Sequence, residues 1–189
     1  GSDDIDSYLD QASALRTICG TVIVKNCHIY GHITPNCKGS QVITVVGSKF
    51  HAIDCEVHDG IASSRGGLLR ARSYFINGDK ENYQLPEVVL ERCCFYNGSA
   101  LGLDPNDPTK SLEARIAAKE ETLASGTYGG GLQISSGPLY MINTSVLNNI
   151  NYSNGAGISG NVAGFYIISS TIGNNEGIRD DHDLGSSPK

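Results

Sequence analysis

The chain has few of the features that mark nucleic-acid-binding or helical membrane proteins. Of its 189 residues, 14 are Lys or Arg and 20 are Asp or Glu, which gives a formal net charge of −6 at pH 7. Nucleic-acid binding needs clustered positive charge to neutralise phosphates, so we expect no nucleic-acid partner. No apolar run reaches the length of about 18 residues that a transmembrane helix requires. The N-terminus has no signal-peptide pattern, but Gly1 and Ser2 are typical of a cloning remnant, so this absence carries no information about location.

The chain is rich in glycine, asparagine and short β-branched runs, and it lacks tryptophan. Glycine accounts for 23 of the residues, and 39% of the residues are hydrophobic. This composition is typical of an all-β chain with many tight corners. The length suffices for a sizeable core, and we predict a single domain over residues 1–189.

One local pattern returns five times along the chain. Each copy is a seven-residue segment with an apolar residue, here called the anchor, in its fourth position. The segments are NCHIYGH, DCEVHDG, RCCFYNG, NTSVLNN and SSTIGNN. Their anchors are Ile29, Val57, Phe95, Val146 and Ile172. Such self-similarity is the signature of a repeat architecture.

A second pattern, a glycine-rich step that ends in an apolar residue, makes the spacing regular. Its apolar residues are Leu69, Leu132 and Ile158. Two of these steps follow an anchor after 12 residues, and two of them precede the next anchor by 14. The longer intervals indicate one insertion of 12 residues before Phe95 and another of 25 residues after it. The underlying period is about 26 residues.

In each repeat, apolar residues occupy alternate positions, as they do in short β-strands. Apolar residues stand seven and five positions before every anchor, as Val22 and Val24 do before Ile29. This spacing is typical of a β-strand. A polar residue follows, three positions before the anchor, and the apolar phase then shifts by one residue. The shift indicates a corner, and each repeat therefore predicts three short strands.

We predict an all-β fold, a right-handed parallel β-helix of about five coils with a short helical insertion. Each strand then pairs with its equivalents in the neighbouring coils, about 4.8 Å away. Glycine and asparagine suit the corners because both adopt left-handed backbone geometry readily, and stacked asparagines can form a ladder along the axis. A β-sandwich is the alternative, but its strands do not repeat at a fixed period. Neither terminus has a strong cap, so we interpret the chain as a segment of a longer protein or one with atypical ends.

The two insertions are predicted to project from the coils. Residues 76–87 are polar and predict a loop insertion. Residues 103–125 predict a helix, because Pro108 suits its first turn and Leu112 and Ile116 fall near one face. That helix either covers a sheet or binds a partner. The residues assigned to partner binding are Lys110, Glu113, Arg115, Lys119 and Glu120.

Three of the six cysteines share one column of the repeat. Cys27, Cys55 and Cys93 stand two positions before their anchors, where the last two repeats have Thr144 and Ser170. The simplest interpretation is a stack of small buried side chains. Adjacent coils also bring equivalent residues within disulfide reach, so oxidation is an alternative. No spacing resembles that of a structural zinc site, and we expect no cofactor.

Histidines and charged residues give no specific catalytic or metal motif. His28, His32, His51 and His58 do not share a column, and the conceivable cluster is His32 with His58. A glycan-cleaving β-helix would need paired carboxylates, or a base with cation-binding acids. The candidates are Asp54, Asp59, Arg70, Arg72 and Arg92. None of them forms a specific catalytic motif, and ordinary corner and surface charges are the simpler explanation, so we name no catalytic residue and no metal ligand.

The glycine steps GGLL, GGGL and GAGI, alternating with VLNN and IGNN, resemble the GGA[ILV] and FxxN repeats of the chlamydial polymorphic membrane protein family. The resemblance spans roughly residues 20–175. It implies an autotransporter passenger, a β-helix at the bacterial outer membrane or secreted from it. It also implies adhesion to a host-cell surface protein or glycan, with membrane attachment only through a C-terminal barrel that this chain does not include.

The function expected from these observations is therefore binding by an extracellular β-helix, with the insertions as contact surface. The alternatives are a carbohydrate-active enzyme of the pectate-lyase-like kind, a phage tailspike fragment acting on acidic glycans, or a structural spacer.

Overall fold

A computed structural model of the protein describes residues 13–34, 42–62, 66–100, 129–151, 155–161 and 164–177. These residues form a parallel β-helix of five coils, which confirms the predicted fold class. Four parallel sheets of five strands run along the column, and every coil contributes one strand to each sheet.

The strands follow one another around each coil in the order sheet 1, sheet 2, sheet 3 and sheet 4. Coil 1 contains β1 (Leu15–Ile18), β2 (Thr21–Lys25), β3 (His28–Tyr30) and β4 (Ile33–Thr34). Coil 2 contains β5 (Ile43–Val46), β6 (Lys49–Ile53), β7 (Glu56–His58) and β8 (Ile61–Ala62). Coil 3 contains β9 (Leu69–Arg72), β10 (Tyr74–Phe75), β11 (Tyr83–Gln84), β12 (Glu87–Glu91), β13 (Cys94–Tyr96) and β14 (Ser99–Ala100), where β10 and β11 lie outside the four sheets. Coil 4 contains β15 (Leu132–Ile134), β16 (Pro138–Ile142), β17 (Ser145–Leu147) and β18 (Ile150–Asn151). Coil 5 contains β19 (Ile158–Gly160), β20 (Gly164–Ile168), β21 (Thr171–Gly173) and β22 (Glu176–Gly177).

The predicted alignment of the repeats is the register of the strands. Phe95 pairs with Val57 of coil 2 and with Val146 of coil 4. Ile29 and Ile172 extend this column to coils 1 and 5. The apolar positions seven and five residues before the anchors also pair coil to coil, in sheet 2. The anchor pattern therefore identified the inward positions correctly.

The predicted number of three strands per coil was wrong, because each coil has a fourth strand. The strands of sheet 4 are only two residues long, too short for a period-two pattern to show in the sequence. Sheet 1 also has strands in coils 1 and 2, whereas the glycine-rich steps indicated its strands only from coil 3 onward. Leu15 and Ile43 stand in register with Leu69, although no glycine-rich step precedes them.

Residues with left-handed backbone geometry form the corners between strands. One set stands three positions before the anchors, with φ between 48° and 53°, and comprises Asn26, Asp54, Arg92, Asn143 and Ser169. Another stands two positions after the anchors and comprises Gly31, Asp59, Asn97, Asn148 and Asn174. The predicted corner is confirmed. Left-handed geometry costs an ordinary L-residue about 1–2 kcal/mol, which explains why Asn recurs there.

The core is a set of apolar columns inside the coils. Phe95, Leu90 and Leu139 are fully buried, and they belong to one continuous cluster that spans the middle coils. In coil 5 the inward side chains of Phe165 and Ile172 are 43% and 45% exposed, since the described residues contain no coil beyond it. The middle coils therefore carry most of the burial that stabilises the fold.

The cysteine column is a stack of free thiols that hydrogen-bond the backbone. The Sγ atoms of Cys27, Cys55 and Cys93 each donate to the carbonyl oxygen two residues earlier, at 3.2–3.3 Å. The hydroxyls of Thr144 and Ser170 make the same bond in coils 4 and 5. All five described cysteines are free, and burial raises the pKa of Cys93 to about 11. This position therefore holds a small side chain with one donor group, a thiol or a hydroxyl, in every coil.

An asparagine ladder joins coils 4 and 5. The side-chain amide of Asn149 donates to Oδ1 of Asn175 at 2.9 Å, and the backbone N–H of Asn149 donates to the same oxygen at 3.0 Å. In turn, Oδ1 of Asn149 accepts the backbone N–H of Gly98 at 2.8 Å. The fully buried Asn149 thus satisfies backbone groups in the coil below.

The first insertion is a β-hairpin excursion. Two residues separate Val46 from Lys49 in coil 2, whereas fourteen separate the equivalent Arg72 and Glu87 in coil 3. The loop was predicted over residues 76–87, but the excursion begins earlier: β10 lies just before that segment and pairs antiparallel with β11 inside it, and Glu87 already belongs to β12. A Cβ on Gly47 would lie 2.5 Å from the Cβ of Tyr74, so the hairpin packs against coil 2 where only glycine fits. The helix predicted over residues 103–125 lies outside the described residues.

We predict that Phe95→Ala lowers the free energy of unfolding by about 3–5 kcal/mol, because it removes a fully buried ring from the anchor column and leaves a cavity. Leu147→Ala is the control, since that side chain is only partly buried on the outer face of the same sheet. Urea unfolding followed by far-ultraviolet circular dichroism measures both. Equal losses in the two variants would contradict the assignment of the anchors to the core.

Candidate functional site

The outer faces of the sheets differ in their exposure to solvent. In sheet 1, Thr44, Arg70 and Gln133 alternate with inward residues, yet they are only 0%, 7% and 7% exposed. In sheets 2 and 3 several outward side chains are more than half exposed, including Ile23 and Tyr30. The outward side chains that a partner could reach therefore lie on sheets 2 and 3.

The outer face of sheet 2 carries apolar side chains beside charged ones. We call its seven outward apolar side chains the apolar face; they are Ile23, Ile53, Val89, Tyr140, Ile142, Tyr166 and Ile168. Ile23, Tyr166 and Ile168 are 57%, 51% and 57% exposed. The rings of Tyr140 and Tyr166 stack at 4.7 Å, so they present their edges to solvent. In coils 4 and 5 the members are contiguous, since Tyr140 pairs with Tyr166 and Ile142 with Ile168, and an exposed apolar patch typically marks an interaction site.

Charged side chains interrupt the apolar face in coils 2 and 3. Lys49 Nζ lies 4.0 Å from a carboxylate oxygen of Glu87, and His51 Nε2 lies 3.3 Å from one of Glu91. Glu91 also forms an ion pair with Arg92. The hydrogen bond from Arg92 is the main reason that the pKa of Glu91 lies below its usual range.

Arg92 also bridges the corners of two coils. Its Nε and Nη2 atoms donate to the two carboxylate oxygens of Asp54 at 2.6 and 2.9 Å. This bidentate contact is the main reason that the pKa of Asp54 is lowered. Such a planar pairing has the geometry of a structural ion pair, and it occupies two of the charged residues considered for catalysis.

Sheet 3 carries a cluster of histidines and a carboxylate on its outer face. His28 flanks the anchor of coil 1, while Glu56 and His58 flank that of coil 2. The Nε2 atoms of His28 and His58 lie 2.5 Å apart, and His28 Nε2 lies 3.5 Å from Oε2 of Glu56. One donor atom from each of the three residues falls within 4.8 Å of the others. We call these three residues the histidine cluster.

Three side chains outside the cluster contact His58 and hold it in place. Its Nδ1 lies 2.7 Å from Oδ2 of Asp59, whose other oxygen accepts from Asn97 at 3.1 Å. The rings of Tyr30 and Tyr96 stack on its two faces, with centroids 5.4 and 4.5 Å away. Hydrogen bonding from His58, and then from Asn97, lowers the pKa of Asp59. The His58 side chain is 12% exposed, whereas His28 and Glu56 are 55% and 58% exposed.

The structure corrects the predicted histidine pairing. His58 contacts His28 rather than His32. The sequence contained the signal, because His28 stands one position before its anchor and His58 one position after its own. Both positions point outward by strand alternation, and adjacent coils bring them together on one diagonal. Comparing single columns missed a contact that joins neighbouring columns.

The other predicted site residues are distributed as follows. Asp59 is bound to His58 and Asn97, and Asp54 to Arg92. Arg70 is buried on the outer face of sheet 1. The residues predicted to bind a partner lie outside the described residues; they are Lys110, Glu113, Arg115, Lys119 and Glu120.

Comparisons with known proteins found no relative. The chain matches no protein-family model, no curated protein and no solved structure. Within the residues that the structure describes, no helix has the length and apolar character to span a membrane. The resemblance to the chlamydial family therefore stays a prediction.

We predict that Glu91→Gln reduces the stability of the protein at pH 7 and that the difference disappears in acid. Because the folded-state pKa of Glu91 is lowered, its carboxylate stabilises the fold above the ordinary Glu pKa of about 4.3. That contribution is lost as the pH falls through the folded-state pKa. Urea unfolding between pH 7 and pH 2 measures it.

Glu87→Gln is the matched control, since it removes a carboxylate from the same strand that contacts Lys49 only at 4.0 Å. Its effect on the pH profile should be smaller. Parallel profiles for wild type and Glu91→Gln would rule out the proposed coupling to Arg92.

Proposed function

We propose that the protein is a cell-surface binding protein, an adhesin whose apolar face contacts a protein on a host cell. The observation that carries the proposal is that three members of the face, Ile23, Tyr166 and Ile168, are more than half exposed. Seven outward apolar side chains lie on one sheet of five strands, which extends about 19 Å along the axis at the strand spacing of a sheet. Removing such a surface from water is favourable by about 25 cal/mol for each Å² of apolar area, and the entropy lost on association offsets part of this gain.

The chemistry of the face favours a protein over a glycan as the partner. Glycan recognition commonly uses aromatic rings whose flat faces are open to the sugar. Here the stack of Tyr140 and Tyr166 covers one face of each ring, and the remaining members are aliphatic. Aliphatic side chains beside ion pairs, such as that of Lys49 and Glu87, are typical of a protein interface with an apolar centre and a polar surround.

The host-cell setting rests on the resemblance of the glycine and asparagine repeats to the chlamydial family. In passengers of that family the β-helix is displayed outside the cell, where a regular face can meet a receptor. An enzymatic role on glycans has less support, because the ion pair of Asp54 with Arg92 and the contacts of Asp59 give both carboxylates a structural role.

The proposal predicts that charges placed on the apolar face abolish cell binding. Ile23→Lys and Tyr166→Lys alter side chains that are more than half exposed, so the fold should persist in both. Binding of the labelled chain to cultured animal cells should fall at least about tenfold, equivalent to about 1.4 kcal/mol. Thr171→Lys is the control, because Thr171 is an exposed residue of sheet 3 in the same coil as Tyr166.

Three further arms separate the alternatives. Protease treatment of the cells should abolish binding if the partner is a protein, whereas glycosidase treatment should not. A chain lacking residues 103–125 should bind as wild type does; if it loses binding while Tyr166→Lys keeps it, the contact surface is the insertion. Binding that survives both changes, or no binding by any form, would overturn the proposal.

A further inference from the structure

We propose that the histidine cluster, His28, Glu56 and His58, is a binding site for a transition-metal dication of the Zn²⁺ type. The site lies on the outer face of sheet 3 and joins coil 1 to coil 2. It is separate from the apolar face of sheet 2, and it does not depend on the proposed adhesive function.

The donor set fits zinc. Two imidazole nitrogens and one carboxylate oxygen, with an open position for water, are the ligands of many zinc sites. The three donor atoms already lie within 4.8 Å of one another. Two nitrogens bound to one tetrahedral ion at 2.0–2.1 Å are about 3.3 Å apart. The observed 2.5 Å between the Nε2 atoms therefore has to widen by less than about 1 Å, and the exposed His28 side chain has room for this shift.

Hydrogen bonding fixes which nitrogen of His58 faces the metal. The carboxylate of Asp59 can only accept, so Nδ1 of His58 carries the proton of that 2.7 Å bond. In the neutral ring Nε2 then has a free lone pair, and it is directed at His28. Without metal, Nε2 of His28 carries a proton and donates it to the Nε2 lone pair of His58. On metal binding that proton moves to the Nδ1 position of His28, and the metal takes its place.

The surroundings of His58 have the features of a prepared ligand. A carboxylate behind a ligating histidine orients the ring and raises its basicity, and Asp59 is itself held by Asn97. Stacking by Tyr30 and Tyr96 restricts rotation of the ring. One fixed ligand beside two exposed ones gives a site that solvent can reach, so a metal can enter and leave without opening the core.

The chemistry also predicts which ions are rejected. Imidazole favours Zn²⁺, Cu²⁺ and Ni²⁺, whereas Mg²⁺ and Ca²⁺ prefer sites made of oxygen ligands. The carboxylates of Glu56 and Asp59 match the charge of a dication. Since the ligands come from two coils, a bound ion stabilises the folded chain against the unfolded one, by an amount that rises with the logarithm of the free ion concentration once that concentration exceeds Kd.

The test is a Zn²⁺ titration of the full chain after removal of metals by dialysis against a chelator, with a chromogenic chelator as competitor. We expect one Zn²⁺ per chain, a rise in melting temperature with added Zn²⁺, and no such rise with Mg²⁺. His28→Gln and His58→Gln should weaken binding by about 100-fold or more, and Glu56→Gln by about tenfold or more. His28 and Glu56 are more than half exposed, so their variants should fold even if His58→Gln does not.

His51→Gln is the matched control. His51 also lies beside a glutamate on an adjacent coil, at 3.3 Å from Glu91. Among the described residues, however, this pair has no third side chain placed to complete a metal site. This variant should bind Zn²⁺ as wild type does. Asp59→Asn tests the positioning role separately: it keeps all three ligands and should still weaken binding about 10–100-fold.

Cobalt distinguishes the cluster from the cysteines. Co²⁺ at two nitrogens and an oxygen should give visible absorption without the near-ultraviolet band of a thiolate–cobalt bond. Zn²⁺ binding that is unchanged in His28→Gln and Glu56→Gln, a thiolate band in the Co²⁺ form, or no binding by wild type would each overturn the proposal.

Discussion

The strand register between successive coils is the constraint on which the rest of this structure depends. Because each residue lies over its equivalent one coil away, about 4.8 Å along the axis, a side chain that suits one coil must also suit its neighbours. Phe95 can be large because Val57 and Val146 on either side of it are smaller. The same rule places a thiol or hydroxyl of similar size in every coil of the cysteine column. A substitution in one coil therefore changes the packing in that coil and in the two coils beside it.

The corners make this register possible, and the left-handed residues within them recur in every coil. A left-handed residue ends each strand of sheets 2 and 3, so the chain turns at the same place in every coil. At several corners the side chain also binds a residue of the neighbouring coil. Asn97 donates to Asp59 one coil below, and Arg92 forms a bidentate pair with Asp54. These contacts join coils on the outside of the column, and they lie beside the surfaces that we consider functional.

Stacking also brings together side chains that no single repeat contains. His28, Glu56 and His58 belong to two coils, and their meeting depends on the pairing of β3 with β7. The apolar face arises likewise, because each strand of sheet 2 contributes at most two of its members. A repeat protein can thus carry a function that its repeated residues do not encode. The two surfaces lie on different sheets, so one can change without disturbing the other.

By itself, the sequence determined the fold class, the inward columns, the first corner and the register of five coils, because burial and left-handed geometry demand particular residue types at every repeat. Ile29, Phe95 and Asn143 were recognisable for that reason. Only the tertiary structure decided the fourth sheet, since strands of two residues have no visible period. It also decided that His58 meets His28 rather than His32, and that the outer face of sheet 1 is buried around Arg70 while that of sheet 2 is exposed around Tyr166. Outward side chains are not constrained by the core. Their contacts depend on which columns lie side by side and on what covers them. Neither can be inferred from the sequence of a single repeat.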